Sequence, residues 1–125
     1  MMADQDYYVR LVVARRIAPP LLVRMIGDEE AEVRRVVAQR IPKSWLLRMS
    51  SDLDAAVRIE VAQRLSAHLL FELRHDPDWR VRYEVARRIA LPQLSQLKED
   101  SDAFVREMVQ SRLTDWNDVM MEIPA

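Results

Sequence analysis

Apolar positions return along this chain at a fixed period, and they return in helical clusters. A valine followed by arginine stands at Val9–Arg10, Val33–Arg34, Val57–Arg58, Val81–Arg82 and Val105–Arg106, a strict 24-residue period. With each of these valines numbered register 1, registers 5 and 9 are also apolar throughout: Val13 and Ile17, Val37 and Ile41, Val61 and Leu65, Val85 and Ile89, Val109 and Leu113. A spacing of four places the three positions on one face of an α-helix. Register 6 is Ala14, Ala38, Ala62 and Ala86, then Gln110. It lies beside that face, where a small side chain lets a neighbouring helix come close.

The polar positions repeat as strictly. Register 20 is Asp4, Asp28, Asp52, Asp76 and Asp100, and a second acid follows two residues later at Asp6, Glu30, Asp54, Asp78 and Asp102. An aspartate ahead of an apolar-periodic run is an N-cap signal, and an acid in the first turn complements the helix dipole. With the register 20 aspartates as caps, and Pro77 at the first helical position after Asp76, the main helices are expected over residues 5–17, 29–41, 53–65, 77–89 and 101–113. The ten or so residues left in each repeat carry the pairs Leu22/Met25, Leu46/Met49, Leu70/Leu73 and Leu94/Leu97. So short a stretch with an i,i+3 pair suits one turn of α-helix or a 3₁₀ segment. Pro19, Pro20, Pro42 and Pro92 stand between the two elements. Two-residue alternation is missing, so no sheet is expected.

A period of this length is the mark of stacked supersecondary units. The expectation is an all-α solenoid of five 24-residue repeats in a single repeat domain over residues 1–125, a half repeat at 1–8 preceding repeats that start near 9, 33, 57, 81 and 105. The pattern of Asp at register 20, Val–Arg, Val–Ala, Arg and Ile, then Leu-x-x-Leu resembles the leucine-rich repeat variant family, from Asp4 to about Met121. The resemblance implies a right-handed superhelix of alternating α- and 3₁₀-helices and a generic role in protein contacts. Family members can also carry a cysteine cluster that holds an iron–sulfur centre. This chain has no cysteine, so no cluster-binding residue carries over and no cofactor is expected. The Asp28-to-Arg34 spacing bears a more distant likeness to HEAT repeats.

Composition adds little to that picture. The net charge is −1, with half the residues hydrophobic, which does not describe a protein that coats nucleic acid. Seventeen of the nineteen bases are arginine, a bias toward planar donors that fix ion-pair geometry. No apolar run approaches the ~20 residues that a membrane-spanning helix needs, so no span is expected. The first residues are acidic, so no leader is expected and a cytoplasmic location is.

Two arginine columns border the apolar face. Register 2 and register 20 together define an expected structural ladder of Asp28, Arg34, Asp52, Arg58, Asp76, Arg82, Asp100 and Arg106, each arginine bonding the aspartate of its own or the next repeat. Register 8 (Arg16, Arg40, Arg64, Arg88 and Arg112) has no recurring acid. The alternative to a ladder is a basic stripe for nucleic acid. Registers 3, 4 and 7 should face water, yet they hold Leu11, Val12, Val36, Ile59 and Tyr83, a candidate surface for a protein partner or for self-association. Trp45, Trp79 and Trp116 share no register. Trp79 stands where other repeats have Ala31, Ala55 and Ala103, which reads as a local packing change. His68 and His75 lack recurring carboxylate neighbours and make no metal site. Gln110, Asn117 and Asp118 read as a polar cap on the last repeat.

No catalytic constellation stands outside the columns. The expected function is a non-catalytic protein–protein interaction or scaffold module whose partner is another protein. The alternative is a HEAT-like solenoid that binds nucleic acid.

Overall fold

A computed structural model describes residues 2–122. Among them every regular element is a helix. Five main helices, α1 (Met2–Arg16), α2 (Ala31–Arg40), α3 (Ala55–Arg64), α4 (Trp79–Arg88) and α6 (Ala103–Met121), alternate with shorter ones. The shorter ones are the 3₁₀-helices η1 (Pro19–Met25), η2 (Lys43–Met49) and η3 (Ala67–Leu73). In the fourth repeat a single α-turn, α5 (Leu91–Leu94), runs into η4 (Ser95–Leu97). The short elements are longer than one turn, seven residues in the first three repeats.

The chain forms two compact units, Met1–Leu65 and Ser66–Ala125. In the first, α2 packs on α1 and η1, and α3 packs on α2 and η2. In the second, α4 packs on η3, and α6 packs on α4 and η4. Each core is made by the repeat columns. Val33, Val37, Ile41, Leu46 and Val57 are fully buried in the first unit, and Val81, Val85, Ile89, Leu94 and Val105 in the second. Ala38 and Ala86 are equally buried, so register 6 is where the main helices press together.

The helix starts differ from the sequence expectation by two residues. The register 20 aspartates are not the caps. Asp54, Asp78 and Asp102, two residues later, have extended backbone and accept from the N–H groups of Ala56, Arg80 and Phe104 at 2.8 Å, which is N-cap geometry. Asp28, Asp52, Asp76 and Asp100 instead accept from the N–H two residues on, at 2.8–2.9 Å, and so close the turn that leads into the cap. Pro77 therefore precedes the cap rather than opening the helix. In the first repeat Asp4 lies inside α1, which already begins at Met2.

Glu30 is the N-cap of α2, and its side chain makes no capping bond. A glutamate carboxylate sits one methylene too far out for the Asx geometry its neighbours use. Glu30→Asp should raise stability by about 1 kcal/mol in chemical denaturation. No gain would show that the cap site of α2 cannot close like the others.

The main helices end alike. The N–H groups of Ile41, Leu65 and Ile89 still donate to the register 5 carbonyl at 2.8 Å, while their ψ angles are 147°, 141° and 153°, fully extended. Pro42 enforces this for Ile41, because proline pushes the preceding residue out of the helical region. The last repeat lacks that break. Thr114 and Asp115 continue the helix, and α6 runs through 19 residues where a 13-residue helix and a short element were expected. Its final turns carry apolar residues beside the polar ones read as a cap. Asn117 and Asp118 are exposed, but so are Trp116, Val119 and Met120. No described helix is long and apolar enough to cross a membrane.

Candidate functional site

Two of the ladder arginines, Arg34 and Arg82, make three-pronged contacts. Arg34 donates from Nε and Nη2 to the two carboxylate oxygens of Asp52 in the next repeat, at 2.9 and 3.2 Å, and from Nη1 to the carbonyl of Asp28 in its own repeat at 2.7 Å. Arg82 repeats this in the second unit, with Asp100 at 2.9 and 3.2 Å and the carbonyl of Asp76 at 2.7 Å. Arg10 forms the same fork on Asp28 at 2.8 and 3.2 Å. Arg58 and Arg106 hold the carbonyls of Asp52 and Asp100 at 2.7 Å. One guanidinium thus fixes the turn before its own helix and the turn before the next one. The planar fork matches a carboxylate in a way that a lysine ammonium does not.

Register 8 reaches in the other direction and finds backbone rather than acid. Arg40 donates to the carbonyls of Ala14 and Ile17 at 2.5 and 2.9 Å. Arg64 donates to Ala38 at 2.7 Å, and Arg112 to Ala86 and Ile89 at 2.9 and 2.7 Å. Those oxygens are left over because the helix stops at register 8, and the last carbonyls of a helix have no partner within it. Each arginine therefore caps the C-terminus of the previous main helix, where the dipole also favours a positive charge. Burial pushes the guanidinium pKa of Arg64 and of Arg112 below its ordinary value.

The expected partner surface separates into parts. Leu11 and Val36 are buried, 6% and 7% exposed, so neither faces a partner. The reason is visible one repeat further on. Arg35 at register 3 bonds Glu60 at register 4 of the next repeat, 25 residues away, at 3.0 Å. Leu11 and Val36 are the residues at those two registers one repeat earlier, at the same separation. Apolar residues stand there where the next repeat has its ion pair, and Leu11 and Val36 are buried rather than turned to water. Val12, Ile59 and Tyr83 are half-buried.

The same 25-residue step produces the largest exposed aromatic group. Trp79 on the first turn of α4 stacks on Phe104 of α6, with ring centroids 5.5 Å apart and planes at 28°. Tyr83 meets Trp79 edge-on at 6.2 Å. Phe104 remains 58% exposed and Trp79 37%. Trp79 is thus part of an outward cluster and not only a local packing change. Phe104 carried no signal on its own; its distance along the chain from Trp79, one step longer than the period, was the signal available. A second apolar area, with Leu91, Pro92, Leu113 and Trp116, lines a shallow cleft of about 400 Å³ beside α6. Among the described residues no three His, Asp or Glu side chains converge as a metal site, and no buried side-chain polar atom lacks a hydrogen bond.

Comparison with known proteins gives two matches. The family model described as leucine rich repeat variant matches residues 55–78, one full period. A solved structure described as a leucine-rich repeat variant with a novel repetitive protein structural motif superposes with a TM-score of 0.83 at 38% identity. That match covers 89% of this chain and 48% of the solved one, so this chain spans about half the length of that protein. No curated protein matches.

Proposed function

We propose that this chain, which belongs to the leucine-rich repeat variant family, is a protein-binding repeat module with no chemistry of its own. The observation that carries this reading is the Trp79–Tyr83–Phe104 cluster, an exposed aromatic platform on two adjacent helices. Aromatic side chains of this kind are enriched at the centres of protein interfaces and scarce on idle surface. The arginine columns do not compete for the role. The ladder spends its donors on aspartates and turn carbonyls, and register 8 spends its donors on helix ends, which leaves little for phosphates.

Affinity capture with the whole chain as bait, run beside Trp79→Ala/Phe104→Ala, tests the reading. The wild type should retain a protein that the double variant loses by at least tenfold, with unchanged circular dichroism. Capture unaffected by the double variant, or a salt-sensitive shift of duplex DNA by the wild type, would overturn it.

A further inference from the structure

The short helices of the first unit bury one edge and turn the others outward. Side chains at i and i+3 of a 3₁₀-helix eclipse. In η2 the eclipsed pair Leu46 and Met49 is buried, and in η1 Leu22 is buried on the matching edge. The next edge holds Leu21 and Arg24 in η1, and Trp45 and Arg48 in η2. The Arg48 guanidinium lies 4.5 Å from the centre of the Trp45 ring, so the two side chains do stack in a column. Leu21 is 47% exposed, and Leu47, on the remaining edge, 40%. η2 has a repeat before it and a repeat after it along the chain, so its outward face is not the end of a stack.

The charge on this face is one-sided. η1 and η2 carry Arg24, Lys43 and Arg48 and no acid. All three bases are exposed, and among the described residues none of the three side chains forms an ion pair or donates a hydrogen bond. Arg35, also at the surface of this unit, is matched by Glu60. In the second unit the column reads Leu69 and Glu72, then Gln93 and Gln96, so its basic character is confined to η1 and η2.

We infer that the outward face of η1 and η2 docks an extended acidic segment of another protein. One carboxylate of the segment seats on Arg24 and a second on Arg48, each held by the planar fork of donors. A guanidinium over an aromatic ring keeps its N–H groups for an incoming carboxylate. An apolar side chain between the two acids covers Leu21, Trp45 and Leu47. Neighbouring repeats stand on the order of 10 Å apart and an extended chain advances ~3.3 Å per residue, which sets the acids about three residues apart. A lipid surface fits less well, because the bases fall short of the clusters of about four to eight that hold anionic membranes. Trp45 is half-buried and covered on one side by Arg48, which makes it neither a wedge for a bilayer nor an open plate for a base. The face lies in the first unit and the aromatic platform in the second, so the inference goes beyond the function proposed above.

Display of random peptides of about a dozen residues tests it, with the full chain as target and Arg24→Gln/Arg48→Gln as counter-target. Both arginines are exposed, so the variant should melt with the wild type. Peptides that separate the two proteins should be acidic, with carboxylates about three residues apart and an apolar residue between them. A selected peptide, synthesised and labelled, should bind the wild type more weakly as salt rises. It should lose roughly tenfold or more on Arg24→Gln/Arg48→Gln and on Leu47→Ser. Trp79→Ala/Phe104→Ala should leave its binding unchanged, which keeps this inference distinguishable from the platform reading. Selection of no peptide that separates the two proteins overturns the inference, as does enrichment of neutral or basic sequences. Variant-sensitive binding to phosphatidylserine vesicles or to polyuridylate that is tighter than to any selected peptide also overturns it, and assigns the face to lipid or RNA.

Discussion

Arg34→Ala is expected to be the most damaging single change on the polar side of the first unit, costing about 3–5 kcal/mol, the range for breaking a buried ion pair from one side. The cost is high because one side chain serves two turns. Its removal strands the Asp52 carboxylate, whose side chain is 8% exposed, and takes the donor from the carbonyl of Asp28. For a chain of this size the melting temperature should fall by roughly 10–20 °C. Arg34→Lys keeps the charge but not the fork, and should fall between the variant and the wild type. Arg35→Ala is the internal comparison. It also breaks an inter-repeat ion pair, but Arg35 is half exposed, and such pairs contribute up to about 1 kcal/mol. Equal melting temperatures for Arg34→Ala and Arg35→Ala would show that the ladder is surface decoration.

Leu46→Ala should cost about 2–5 kcal/mol, and its neighbour Leu47→Ala less than about 0.5 kcal/mol. Both leucines lie on η2. Leu46 is fully buried beneath α3, while Leu47 is 40% exposed. Truncating Leu46 removes its own burial and leaves a hole that the clamped turns on either side cannot close. Denaturant titration with an unchanged slope measures the difference. Similar losses for the two would mean that the short helices are not part of the core.

How far the residues alone revealed this protein depends on what each contact is made of. The columns at registers 1, 5, 6 and 9 were readable because side-chain burial selects residue type, and the selection repeats five times at registers 1, 5 and 9 and four times at register 6. The helix starts were displaced because two acids stand two residues apart before α2, α3, α4 and α6, and either could be a cap. What separates them is the arginine of the preceding repeat that claims the first, as Arg34 claims Asp52 from 18 residues back. That is a relation between repeats and not within one. Leu11 and Val36 were placed outward because a helical wheel grants a helix one packed face, whereas a stacked helix has neighbours before and after it. The partners of register 8 could not be read at all, since a backbone carbonyl belongs to every residue and leaves no letter in the sequence. The aromatic platform fell between these cases. Trp79 was conspicuous, but its companion could be found only by stepping one place past the period.

That extra place has a consequence for how such a chain can change over time. Copying or deleting one 24-residue block preserves every column, so the fold survives the edit. It does not preserve the partners, because each block carries one half of a bond whose other half is written in the block after it. Moving the block that holds Leu11 in front of α3 would set a leucine against Glu60, and moving the block that holds Arg35 elsewhere would leave Glu60 without its match. The blocks are therefore interchangeable in shape but not in order, and each one's place in line is recorded in its neighbour.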